Sequence, residues 1–193
     1  MKIVIDTNSL LALVRYYLPF DREGILFDFI KEKIYAHEII IIDKVLLECQ
    51  YVSKGIIMKQ LLFLSDREFL KSAGIPIKTD SLLIPASKDF LHKVNSVFVN
   101  SVVRKAKRIS DVEFENQKNS FLKGADMSQV IYCLNIKRLN EEVMLVTEET
   151  ENPNDNKLFK KIPAICKYID ISTLSLPEMI KESEEIKLDF KLN

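Results

Sequence analysis

The chain of 193 residues carries 28 Lys and Arg against 28 Asp and Glu, so it has no global basic field for nucleic acid, and any such contact needs a local patch. With 47% apolar residues and only 4 Gly and 6 Pro, it buries a full core and is expected to form one domain rather than a disordered segment. Asp6 interrupts any signal-peptide core, no apolar run approaches a membrane span, and the cysteines Cys49, Cys133 and Cys166 lack metal-type spacing; we expect a cytoplasmic protein with reduced, buried thiols.

The opening MKIVIDTNSLLALV reads as a buried strand, IVI, followed by a helix beginning near LLALV, with Asp6 at the hinge. Asp6, Thr7, Asn8 and Ser9 are all helix-capping residue types, which is the ordinary reading of an acid at this point. The other reading is that the carboxyl end of a strand in an open α/β sheet is where such folds place their ligands.

LPFDREGILFDFIKEKI continues as an amphipathic helix with Leu26, Phe29 and Ile30 on one stripe. EIIIIDKVLLECQYV then repeats the opening theme: a β-branched run, an acid (Asp43) and a helix. By the i, i+4, i+7 rule Val45, Cys49 and Val52 share a stripe of that helix, and Glu48 lies beside Cys49 on the same side. A carboxylate facing the core needs a Lys or Arg partner or a functional reason.

Residues 53–123 read as a helical insert, with FLHKVNSVFVNSVVRKAKR and VEFENQKNSFL as helical segments and no convincing strand. GADMSQVIYCLNIKRL is a helix in which Asp126 and Gln129 have capping-box spacing. VMLVT is a buried strand, and TEETENPNDNK a polar loop in which Glu151 and Asp155 read as solvated acids. IPAICKYI starts a helix with Pro, YIDIS is a short strand, and LPEMIKESEEIKLDF a final surface helix. Strands that are apolar on both faces and alternate with helices predict a parallel sheet covered on both sides, an α/β fold.

Two acid positions follow strands directly, Asp6 and the pair Glu148–Glu149, and two lie in helices that a parallel sheet brings to the same edge, Glu48 and Asp126. Carboxylates gathered there without basic partners repel by ~3 kcal/mol per close pair at an effective dielectric of about 20. Hard divalent cations remove that cost, because Mg²⁺ and Mn²⁺ prefer oxygen ligands.

These motifs resemble the PIN domain, a family of metal-dependent ribonucleases, many of them toxins of toxin–antitoxin pairs. The resemblance rests on DTN after the first strand, a lone Glu in the helix after the second, AD opening a long helix, and VT-x-acid after the next strand. KKIPAICKYIDI is similar to the tail of a PIN-like subfamily, whereas residues 53–123 carry little likeness. The resemblance implies a Rossmann-like parallel sheet flanked by helices, one domain over 1–193 with the helical insert, and Asp6, Glu48 and Asp126 as ligands of Mg²⁺ or Mn²⁺. The last acid maps to Glu149, where the family more often has Asp, and Glu148 is its alternative; Asn8 and Thr147 match supporting polar positions. It further implies hydrolysis of single-stranded RNA, with an antitoxin protein or a second copy of the chain as partner. Arg104, Lys105, Lys107 and Arg108 in VVRKAKR are the candidate phosphate contacts, with a solvated helix face as the alternative reading.

An aspartyl phosphatase of the haloacid dehalogenase type would need a second Asp at position 8, where Asn8 cannot act as general acid. A catalytically inactive PIN-like scaffold that binds RNA or a protein is the non-enzyme alternative. All four acid positions are filled, which counts against decay.

Overall fold

A computed structural model of the chain describes residues 1–151, 156–183 and 186. Four parallel strands form one sheet in the order β2-β1-β3-β4, with β1 at Lys2–Ile5, β2 at Ile39–Ile40, β3 at Val143–Val146 and β4 at Ser172–Leu174. Register is fixed by pairing Ile3 with Ile39 and Met144, and Met144 with Ser172. The helices are α1 (Thr7–Ala12), α2 (Ile25–Tyr35), α3 (Asp43–Cys49), α4 (Ile56–Gln60), α5 (Arg67–Ser72), α6 (Ser87–Ser96), α7 (Ser101–Ala106), α8 (Asp111–Lys123), α9 (Ala125–Arg138), α10 (Ile162–Tyr168) and α11 (Leu176–Glu182). This is the α/β architecture with a parallel sheet flanked by helices that the alternation of strands and helices predicts.

Strand residues alternate between two cores, because successive side chains of a strand point to opposite faces. Ile5, Ile39 and Val146 join the core built with α1 to α4 and α11, whereas Val4, Ile40 and Leu145 join the one built with α6, α8, α9 and α10. Both faces of the sheet are covered, so β2 and β3 are wholly apolar and β1 is apolar after Lys2, whereas the edge strand β4 carries Ser172 and Thr173. Segment 53–123 forms no named strand and divides between the cores: Ile57, Leu61 and Phe63 pack on the first, Phe90, Phe98 and Phe114 on the second.

Several boundaries differ from the sequence reading. Gly24 adopts a left-handed conformation (φ 73°), so α2 starts at Ile25 rather than running on from Leu18. Asn100 caps α7 through a hydrogen bond from the Val103 amide, and this splits the expected long helix at 90–108 into two. The final helix is not a surface helix, since Leu176, Met179 and Ile180 are buried in the first core. Residues 184, 185 and 187–193 of LPEMIKESEEIKLDF and its tail, like Asp155, lie outside the described residues.

All three cysteines are buried and unpaired. Burial pushes the Cys49 and Cys166 thiols up to about 12 and Cys133 higher still, so none offers a thiolate nucleophile at neutral pH. Among the described residues no helix is long and apolar enough to cross a membrane.

Candidate active site

The sheet order creates a crevice. From β1 the chain crosses to β2 on one side and later returns to β3 on the other, so the carboxyl ends of β1 and β3 lie side by side at a topological switch point. Asp6 follows β1 directly, and Thr147 follows β3.

Asp6 is buried (3% exposed) and caps α1: its Oδ1 accepts a hydrogen bond from the Ser9 amide at 2.6 Å. The capping reading is therefore correct as far as one oxygen is concerned. The other oxygen accepts a hydrogen bond from the Thr147 hydroxyl at 2.6 Å, across the switch point. Burial raises the Asp6 pKa above the usual carboxylate value, the hydrogen bonds from Thr147 and Ser9 pull it down, and the nearby Glu149 charge adds to the rise.

Glu48 does not face the core. Helix α3 ends at Cys49, its buried residues are Val45, Leu46 and Cys49, and half-buried Val52 falls in a separate turn, so Glu48 is exposed at the rim. Its Oε2 accepts a hydrogen bond from the buried Thr7 hydroxyl at 2.6 Å. Among the described residues it makes no ion pair, and the basic residue one turn earlier, Lys44, points to the junction of α8 and α9, where its ammonium donates to the Lys123 carbonyl and the Ser128 hydroxyl. Lys44 thereby ties the start of α9 to the helix that carries Glu48. Asp43 plays a different part: burial would raise its pKa, but bonds from the Thr79 hydroxyl and amide and the Lys44 amide hold it below the usual range.

Asp126 is not a helix cap. Gly124 occupies the N-cap of α9 with extended backbone (φ −68°, ψ 165°), and no side chain caps that end. The capping box fails with it, because Gln129 is buried and, among the described residues, its Oε1 has no hydrogen-bond partner. Asp126 is solvent-accessible, yet it sits in a concave groove where surrounding protein strips much of its hydration. That desolvation, followed by the charges of Glu149, Glu48 and Asp6, raises its pKa to about 6, with Lys157 acting in the opposite direction. Four carboxylates from four separated stretches of chain thus act on one another.

After β3, whose last residue is Val146, the two glutamates part company. Glu149, two residues past Thr147, turns to the acids; its amide donates to the Thr147 hydroxyl at 3.1 Å, its Oε2 accepts from the Ile162 amide at the start of α10, and Oε1 lies 3.9 Å from the Lys157 ammonium. Glu148 turns away: its Oε1 accepts from the Leu176 amide at the start of α11, and its charge, second to burial, raises the Tyr17 pKa. Asn8 is exposed on α1 and, among the described residues, bonds to none of the acids; Thr7 holds Glu48 instead. The four acids are not drawn to one point, and among the described residues no three His, Cys, Asp or Glu side chains stand ready to hold a metal ion.

Asp126 and Glu149 line a groove of about 720 Å³ that continues along α8 and the segment 156–161, with Lys107, Lys157, Lys160 and Lys161 in its wall. The expected basic patch on α7 reaches it at one residue only. Lys107 donates to the Asn156 carbonyl at 2.7 Å; Arg104 is held by Asp111 and laid over the Phe114 ring at 4.0 Å, and exposed Lys105 and Arg108 do not line the groove. Lys157, Lys160 and Lys161 are brought in by a long-range contact that local sequence pattern does not reveal.

No curated protein and no solved structure matches the chain. A family profile described as "Domain of unknown function (DUF4411)" matches residues 78–187, more than half of the chain; this stretch includes Asp126, Glu149 and the groove lysines but not Asp6 or Glu48. The chain therefore belongs to the DUF4411 family.

Proposed function

We propose that the chain is a metal-dependent endoribonuclease of PIN type, cleaving single-stranded RNA with Asp6, Glu48, Asp126 and Glu149 around Mg²⁺ or Mn²⁺. The observation that carries this reading is the mutual electrostatic influence of these four acids at the switch point, where Asp126 is driven to a pKa of about 6. Such an arrangement destabilises a metal-free protein and suits a hard cation, whose oxygen preference matches the donor set. Among the described residues, two buried oxygens three positions beyond Asp6 and Asp126, Ser9 Oγ and Gln129 Oε1, have no hydrogen-bond partner.

When bound, the metal lowers the pKa of water and neutralises charge building on the phosphoryl oxygens. The chain's own residues fix the ligands. Ser9 and Thr147 hold the Asp6 carboxylate in one orientation, and each of its oxygens keeps a second lone pair for a cation. Thr7 does the same for Glu48, and the Ile162 amide for Glu149. With a cytoplasmic setting and an antitoxin protein as partner, the reading extends to a toxin of a toxin–antitoxin pair; a homodimer is the other assembly it allows.

A second reading is a catalytically inactive scaffold that binds RNA or a protein. It draws support from the same hydrogen bonds, which already occupy Asp6, Glu48 and Glu149 in a structural manner. Incubation of labelled single-stranded RNA with Mn²⁺ or Mg²⁺ separates the two. Cleavage that EDTA abolishes and that Asp6→Asn slows by orders of magnitude is expected, since a neutral amide is a poor ligand for a hard cation. Undiminished cleavage by pure Asp6→Asn protein refutes the four-acid mechanism, and RNA binding without cleavage selects the scaffold.

A further inference from the structure

We propose that the groove between α8 and the segment 156–161 is the track for the single-stranded RNA, with phosphates on Lys107, Lys157 and Lys161 and a base stacked against Phe121. The inference rests on the ribonuclease reading for the choice of strand, but its geometry is separate from the acids.

Lysines outnumber acids in the groove lining. Asp126 and Glu149 share it with Lys107, Lys157, Lys160 and Lys161, and Lys157 lies where the two meet, 3.9 Å from Glu149 Oε1, in a chain whose net charge is zero. A phosphodiester strand fits that lining: its backbone meets the lysines and one linkage reaches the acids. Lys107 and Lys157 come from segments about fifty positions apart and meet where the Lys107 ammonium bonds the Asn156 carbonyl, a neutral acceptor. Two stacked aromatic rings are part of the same lining. The Phe121 ring stacks on Phe159 with centroids 4.2 Å apart and planes 7° from parallel, so one face of Phe121 is backed by a rigid, buried ring while the half-buried side chain borders the groove. Base stacking on such a ring tolerates any sequence, because every base has a π-face. Asn116 and Ser120 of α8 line the same wall and offer hydrogen bonds to sugar and base. An acidic protein segment would use the lysines but not the stacked ring, which is why the nucleic-acid strand is the occupant we choose.

The test measures binding of a fluorescein-labelled uridine 12-mer to the full chain by anisotropy, in EDTA so that nothing is cleaved, across a range of salt. Lys157→Ala/Lys161→Ala should weaken binding and flatten the slope of log affinity against log salt by about 1.4, two contacts at about 0.7 each for a single strand. Phe121→Leu should weaken binding by about fivefold or more with the salt slope unchanged. Lys105→Ala/Arg108→Ala, outside the groove, should change neither, and matched thermal melts keep the variants comparable. Unchanged affinity in both groove variants overturns the track, as does failure of the wild type to bind the 12-mer. Groove-dependent binding of polyglutamate in preference to RNA overturns nucleic acid as the occupant. Groove-dependent RNA binding by a protein that cleaves nothing upholds the track and defeats the nuclease reading, whereas cleavage with no groove dependence does the reverse.

Discussion

The hydroxyl of Thr147 donates to Asp6 Oδ2 at 2.6 Å and so joins the carboxyl ends of β1 and β3, 141 positions apart, at the switch point. Thr147 in turn accepts the amide of Glu149, so one side chain sets both acids. Replacing it with Val keeps the shape and removes the donor, leaving a buried carboxylate oxygen short of a partner. Thr147→Val should cost about 1–3 kcal/mol of stability at pH 7 and raise the Asp6 pKa further. The bond favours the ionised form, so the loss should be largest above the folded Asp6 pKa and shrink as acid protonates the group. Denaturant titrations at several pH values check this; Thr147→Ser should restore most of the stability.

Thr7 gives a companion case at a more open position. Its buried hydroxyl orients the exposed Glu48, so Thr7→Val should lower stability by only about 1 kcal/mol. A residue that orients a metal ligand typically controls affinity more than stability, and Mn²⁺ binding should weaken by about 10- to 100-fold. Calorimetric titration with Mn²⁺ decides it: unchanged affinity would mean that Glu48 is not a ligand.

The two glutamates after β3 should behave differently. Glu149→Gln removes the strongest charge acting on Asp126, so the Asp126 pKa should fall from about 6 toward the ordinary value. Glu148→Gln should leave Asp126 alone and lower the Tyr17 pKa instead. Carboxyl and phenol titrations followed by NMR read both groups. An Asp126 value that responds to Glu148 would reverse the assignment.

What the sequence revealed and what it concealed divides along physical lines. An apolar run ending on an acid is visible in β1–Asp6 because both cores demand uniform strands, while the bond from Thr147 to its second oxygen is not visible. Glu48 was misread because the stripe rule assumes a helix that continues; α3 stops at Cys49, and the buried stripe moves to Val45, Leu46 and Cys49. At Asp126 the spacing to Gln129 imitates a capping box, but backbone geometry, not side-chain type, decides the cap, and Gly124 has the extended conformation. Glu148 and Glu149 are chemically the same, and only their tertiary partners separate them, the Leu176 amide for Glu148 and the Ile162 amide for Glu149. Of the groove lysines Lys107 is legible in the basic run at the end of α7, but Lys157, Lys160 and Lys161 are not, because the Lys107–Asn156 contact spans 49 positions, beyond any local period.

Asp126 allows the sharpest test, because its two roles predict opposite signs. As an acid in the first turn of α9 it interacts favourably with the helix dipole, and Asp126→Asn would then lose a few tenths of a kcal/mol. As one of four mutually repelling carboxylates it burdens the metal-free fold, and the same substitution should stabilise the protein at pH 7. The pH dependence follows from the raised pKa. With about 6 in the folded state against 3.8 for the ordinary carboxyl, the folded protein holds more of this proton between those values, so stability falls as pH rises from about 4 to about 6. Asp126→Asn should lose that slope and open its advantage over the wild type above pH 6. Mn²⁺ reverses the order: the wild type should gain roughly 2.7 kcal/mol at a hundredfold excess over its dissociation constant, while the variant gains much less at the same concentration. Denaturation curves for both proteins at pH 4, 6 and 8, each with EDTA and with Mn²⁺, contain every arm. Equal gains from Mn²⁺ would remove Asp126 from the site, and a variant less stable than wild type in EDTA at pH 8 would return it to the helix dipole.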